Sequence, residues 1–125
     1  MHIEIKVPVY PTESKSKVEK ALKNLFPTVE FQLSKGQYTG KSNDVQSLNH
    51  FRGLLEMQRI RDTANTLLKR SLYNNTLVFH LNKQAAFMGK INFSEECPLD
   101  PITVTINGKD LEALINDLSP RTGEQ

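Results

Sequence analysis

Cysteine is almost absent: Cys97 is the one residue of its kind in 125. It has no partner for an intrachain disulfide, and one thiolate is too few for a cysteine-based zinc site. A reducing cytoplasm suits this usage, so a soluble intracellular protein is the expectation. No apolar run approaches the ~20 residues of a membrane span, and the N-terminus carries no signal-peptide pattern. Internal repeats and low-complexity segments are also missing; only the tail from Ser119 to Gln125, with Pro120 and Gly123, reads as frayed.

Catalytic motifs are equally scarce. Gly36 and Gly40 lack the spacing and the trailing Lys-Ser/Thr of a phosphate-binding loop, and Gly40-Lys41-Ser42 is only a fragment of one. His2, His50 and His80 fall in different elements without i, i+4 pairing, which argues against a metal site. Ser, His and Asp occur, but no elbow motif fixes a nucleophile. Glu95 and Glu96 read as solvent-facing loop residues, and their charge disfavours a thiolate at Cys97. No catalytic residue, metal ligand or cofactor is therefore expected, and small-molecule enzymology resting on His80 ranks last.

What is present suits one α+β domain over residues 1–118, large enough to bury about two thirds of its unfolded surface. Charge is unevenly spread. Residues 1–34 carry five Lys against four Glu, residues 35–90 nine basic against three acidic, and residues 91–125 two against seven, that is +1, +6 and −5. The middle suits a polyanion and the C-terminal part repels one, unless folding mixes the charges.

Ile3, Ile5, Val7 and Val9 alternate with polar residues as a half-buried strand, and Pro8 places its outer end at a sheet edge. Pro11 and Thr12 open a helix with Val18, Ala21, Leu22 and Leu25 on its apolar side, stopped by Pro27. Its lysines 15, 17, 20 and 23 alternate with Glu13 and Glu19, which favours a solvated face over a phosphate contact. Val29, Phe31 and Leu33 predict a second strand, and Gly36 and Gly40 bracket a turn or short strand. From Ser42 or Asn43 as N-cap, a helical pattern runs to about Tyr73.

One straight helix cannot serve that run. With Val45 at zero and ~100° per residue, Leu48, Phe51 and Leu55 centre near ~270°, whereas Ile60, Ala64, Leu67 and Leu68 centre near ~90°. A break between Gly53 and Met57 resolves the conflict, with a second helix from about Gln58 to Leu72. Asn74-Asn75 turns the chain into Thr76–Phe93, which reads as a hairpin. A five-residue loop, Asn82 to Ala86, would pair Leu81 with Phe87, Phe79 with Gly89 and Leu77 with Ile91, Gly89 making room for the Phe79 ring. Val78, His80, Met88, Lys90 and Asn92 then face the other way, with Lys83 in the turn. After a loop from Ser94 to Pro101, Ile102, Val104 and Ile106 form a last strand, Asn107-Gly108 a turn, and Leu111, Leu114, Ile115 and Leu118 a closing helix.

Alternation in each strand predicts a two-layer α+β fold, a mainly antiparallel sheet with helices packed on one face. The open face would present His2, Glu4, Lys6, Glu30, Gln32, His80, Lys90, Asn92, Thr103 and Thr105, without an aromatic on which bases could stack. Binding, if to RNA, then falls to phosphate and A-form backbone contacts from Arg59, Arg61, Lys69, Arg70, Lys83 and Lys90.

Asn82-Lys83-Gln84-Ala85-Ala86 with Gly89-Lys90-Ile91-Asn92-Phe93, preceded by Ile60 with Asp62-Thr63-Ala64 and by Leu25-Phe26-Pro27, resembles an uncharacterised archaeal family described as RNA-binding. The resemblance spans nearly the whole chain. Members look like ribosomal large-subunit protein five in fold, which implies RNA as partner, with Lys83, Gln84 and Lys90 matching the most specific block. The family pattern has an arginine where this chain has Asn65, so no phosphate contact is expected there. The leading expectation is a non-catalytic RNA-binding protein; the other is a homodimer or protein-interaction module using Val78, Met88, Thr103 and Thr105.

Overall fold

The alternating strands are answered by one antiparallel sheet in the computed structural model, which describes residues 1–93 and 101–121. Strands β1 (His2–Pro8), β2 (Phe31–Ser34), β3 (Gln37–Ser42), β4 (Leu72–Tyr73), β5 (Thr76–Leu81) and β6 (Ile102–Asn107) lie in the order β2-β3-β1-β6-β5-β4. Helices α1 (Lys15–Leu25), α2 (Asn49–Met57), α3 (Arg61–Ser71), α4 (Lys83–Phe87) and α5 (Leu111–Leu118) complete the described fold. The α+β expectation holds: Ile3, Ile5 and Val7, Leu77, Phe79 and Leu81, and Ile102, Val104 and Ile106 are buried together with the apolar stripes of the long helices. Phe26, Phe51, Phe79 and Phe93 form the aromatic centre of this core, with ring centroids 5.7 to 6.4 Å apart.

Two tight turns build the sheet margins. Lys35 and Gly36 both have positive φ between the paired residues Ser34 and Gln37, and Asn74 and Asn75 do the same between Tyr73 and Thr76. Such two-residue turns match the right-handed twist of the strands they join. Gly40 faces Phe31 across the β2–β3 pair, where a Cβ would sit 2.6 Å from a ring carbon. The glycine that makes room for a ring is thus Gly40, not Gly89.

Several sequence expectations need correction. β1 is an inner strand between β3 and β6, but the β6 pairing ends at Lys6, so at Pro8 the outer end is open on that side and the missing donor leaves no ladder bond unmade. The first helix starts at Lys15, with the Ser14 hydroxyl accepting from the Lys17 amide, rather than at Pro11-Thr12. Asp44, not Ser42 or Asn43, caps the next helical segment, a 3-10 turn over Val45–Leu48 that runs into α2. The helix break exists but lies at residues 58–60, beyond the expected Gly53–Met57. Val29 and Glu30 precede β2.

The largest correction concerns Thr76–Phe93, which is one strand followed by a helix rather than a hairpin. Leu81 pairs with Phe93 in an isolated bridge, and the Asn82 amide donates to the Asn92 carbonyl at 2.8 Å, so the chain leaves the sheet at 82 and returns at 92. The predicted pairs of Leu81, Phe79 and Leu77 with Phe87, Gly89 and Ile91 do not form; β5 instead pairs with β6. Met88 and Lys90 therefore do not lie on a strand of the sheet, whereas Asn92 stands where the chain rejoins it. The open face carries one exposed aromatic after all: Tyr73, on the β4 edge, is 75% exposed and sits opposite Thr76. The expected loop over Ser94–Pro101, with Cys97, falls outside the described residues except for Pro101.

Candidate nucleic-acid interface

The excursion from Asn82 to Asn92 is built by its two ends. The Asn82 carboxamide oxygen accepts from the Ala85 amide at 2.8 Å, capping the N-terminus of α4. At the other end Gly89 has φ +77°, its amide donates to Ala86 and the Lys90 amide to Ala85, each at 2.9 Å. This left-handed glycine closing two nested bonds is a Schellman motif. Gly89 is required by its backbone conformation, since a Cβ there would meet nothing within 4 Å.

Three polar anchors hold the excursion against the body. Asn24 on α1 donates its amide to the carbonyls of Ala86 and Phe87, both at 3.0 Å, satisfying the end of α4. Lys83 turns inward: its ammonium donates to the Pro8 carbonyl at 2.9 Å and to both Glu13 oxygens at 3.0 Å, and only 14% of its side chain is exposed. Burial pushes the Glu13 carboxyl up, but the Tyr10 amide and the Lys83 ammonium outweigh it and hold it below its ordinary value. Gln58 is the third anchor, donating to the Ile91 carbonyl at 2.9 Å and accepting from the Ile91 amide at 2.7 Å.

The Gln58 clamp joins two helix endings of the same kind. At the end of α2, Arg59 has φ +58°, its amide donates to Glu56 and the Ile60 amide to Leu55, each at 3.1 Å, again a Schellman motif. Arg59 stands where glycine is the easy choice, so its backbone carries strain of ~1 kcal/mol. The clamp ties the backbone beside Arg59 to the backbone beside Lys90, the chain neighbours of Gln58 and Ile91, with Arg61 two residues further along the chain. Arg59 and Lys90 are exposed and Arg61 is half-buried, consistent with a stem on the core edge. Arg59 and Lys90 follow helix C-termini, where the dipole favours a cation, whereas Arg61 opens α3 at the end that disfavours one.

The remaining expected residues are placed differently. Gln84 is exposed on α4, on the same side as Phe87 and Met88 and facing the groove beside α1. Lys69 and Arg70 lie in the last turn of α3, roughly 12 Å along the helix from Arg61. Arg70 borders a separate dip with Asp62, Thr66 and Arg121, and the Arg121 guanidinium donates to the Thr66 hydroxyl at 2.9 Å. Asn65 is fully buried, its amide donating to Asn116 Oδ1 at 3.1 Å and to the Ser119 carbonyl at 2.7 Å, and so faces α5 rather than solvent. His80 stays on the open face, bonded to the Thr103 hydroxyl at 3.1 Å.

Lys17 and Lys20, expected on a solvated helix face, lie against the aromatic ring of α4. Their ammonium groups lie 5.8 and 5.2 Å from the centre of the Phe87 ring, beside α4. Alternation with glutamate made these lysines look neutralised. In the fold Glu13 is spent on Lys83, and Glu19 faces the other side of α1, where burial and then its charge push the Tyr38 phenol up. The excursion, which carries Lys90, thus packs beside Lys17 and Lys20 of α1 and is clamped to the α2–α3 junction that bears Arg59 and Arg61. Among the described residues no group of His, Cys, Asp and Glu could hold a metal ion, and no helix is long and apolar enough to cross a membrane.

The class is given by comparison: this α+β chain matches, over residues 2–108, a family model described as RNA binding. The chain belongs to the UPF0201 family of archaeal proteins. It is 40% identical over 124 residues to the UPF0201 protein of Pyrococcus abyssi, covering 96% of this chain and 90% of that one. With the relative from Sulfurisphaera tokodaii it shares 42% over 129 residues, covering 98% and 89%. The crystal structure of the Methanococcus jannaschii UPF0201 protein superposes with a TM-score of 0.85 at 35% identity, covering 98% of this chain and 95% of that one.

Proposed function

We propose that this protein is non-catalytic and binds structured RNA through its phosphate backbone, using Lys90, Arg59 and Arg61 as the central contacts. Gln84 on α4 adds a hydrogen-bonding group, and Lys69 and Arg70 extend the basic surface along α3. The observation that supports this reading is the Gln58–Ile91 clamp, which ties the helix end bearing Arg59 to the helix end bearing Lys90. A strained arginine at residue 59, where glycine would be easier, fits a side chain kept for binding. Lys83 serves by position, since its ammonium already has its partners, and the family model's description supports RNA as the ligand. Protein purified at low salt should carry RNA, read as a raised nucleic-acid to protein absorbance ratio and identified by sequencing. Clean protein that also ignores added RNA hairpins contradicts the reading.

A second reading places a protein or a second copy on the open sheet face, favoured by the exposed Tyr73 and Val78 on β4 and β5. Light scattering separates the two. A dimer that Val78→Lys dissociates supports the second reading, and a monomer opposes it.

A further inference from the structure

We propose that the groove between α1 and α4 seats an unpaired nucleobase stacked on Phe87, with Lys17 and Lys20 on the flanking phosphates; this rests on the RNA-binding reading and extends it. The groove holds about 390 Å³ and has Val18 and Ala21 of α1 on its floor. Phe87 and Met88 rise from α4, Phe87 half-buried and Met88 72% exposed, and Gln84 offers an amide at the same rim. In the free protein the two lysines lie over the ring. They are long, rotatable donors that a phosphate can draw aside, leaving the ring face to a base.

The charge around the groove points the same way. The one acid lining it, Glu13, is neutralised by Lys83, so the rim is cationic. Shape excludes a docked helix: α4 has five residues, about 7.5 Å of length, too short to line a groove for anchors spaced over two turns. A single planar base fits that span, and stacking tolerates any base. The structured part of the RNA would lie on Arg59, Arg61 and Lys90, and a single-stranded extension would reach α1.

The test compares a blunt RNA hairpin with the same hairpin carrying an oligouridine overhang. The overhang should tighten binding to the wild-type chain roughly tenfold. Phe87→Leu, which keeps an apolar side chain against α1, should erase that gain and leave the blunt affinity unchanged; Lys17→Gln with Lys20→Gln should also erase the gain. Phe87→Trp supplies a direct readout, since the protein has no other tryptophan: its emission should be quenched by the overhang hairpin and not by the blunt one. If Phe87→Leu keeps the gain, or the Phe87→Trp emission stays unmoved at saturation while the hairpin still binds, the base site is overturned and the RNA-binding reading survives. If neither RNA binds, the RNA-binding reading itself fails and the site falls with it. If polyglutamate quenches the tryptophan and displaces RNA at equal charge, the groove takes an acidic protein segment and the base site is overturned.

Discussion

Replacing Lys83 by methionine separates a residue that touches RNA from one that holds the fold. The substitution keeps an apolar stem and removes an ammonium bonded to the Pro8 carbonyl and to both oxygens of Glu13. A charged hydrogen bond contributes about 1.5–3 kcal/mol, and losing one partner of a buried pair costs more. Glu13 keeps 28% of its side chain in solvent, so water recovers part of that loss. The expected destabilisation is about 2 kcal/mol by urea denaturation, which lowers Tm by roughly 8 °C in a chain of this size. Adding Glu13→Gln should return about 1 kcal/mol, because the orphaned carboxylate goes with it. The depressed carboxyl of Glu13 also sets a pH signature. Its contribution is full above the ordinary carboxylate pKa of the unfolded chain and is lost as pH falls through the lower folded value. Glu13→Gln should flatten that acid-side loss. Below Tm, Lys83→Met should leave the salt slope of RNA binding unchanged. A loss under ~0.5 kcal/mol, or a salt slope reduced by about one, refutes the reasoning.

Arg59→Gly should stabilise the protein by up to about 1 kcal/mol by relieving the left-handed backbone, while weakening RNA binding; a destabilised variant would remove the strain from the account. Gln58→Ala leaves the Ile91 amide and carbonyl without their partners, so a cost of about 1–3 kcal/mol and loss of hydrogen-exchange protection at the Ile91 amide are expected. Gly89→Ala should cost about 1 kcal/mol through φ alone, with Gly89→Asn milder. Gly40→Ala should cost about 1–3 kcal/mol by displacing the Phe31 ring, and thermal melts rank the three glycine variants.

Strand alternation in β1, β5 and β6 and the helical stripes of α1 and α5 were legible because each buries one face against a single core. The switch of apolar side between Phe51 and Leu68 also revealed that the long helical run must break. Its position was not legible, since Gly53 drew attention while the turning residue is Arg59, a non-glycine in a left-handed conformation. The excursion was misread because Leu77 to Ile91 can be written as two alternating strands. The competing signal, Asn82 as N-cap and Gly89 just past a helix end, was present in the same residues and is the one that won. For the site, Lys90, Arg59 and Arg61 were recognisable as basic residues, but the link between the stretches that bear them is the Gln58 clamp, a contact between residues 33 apart. Lys17 and Lys20 were discounted because charge alternation in a helix does not tell which side each charge faces. Lys83 looked like a turn cation because the turn itself was wrongly placed.

The most direct measurement is the salt dependence of affinity for a structured RNA hairpin, comparing the wild-type chain with the triple variant Arg59→Ala, Arg61→Ala and Lys90→Ala. The wild-type affinity should fall steeply with salt, and the triple variant should bind at least an order of magnitude more weakly with a log–log slope shallower by about three. An unchanged slope and affinity in the folded triple variant would contradict the claim that these cations hold RNA.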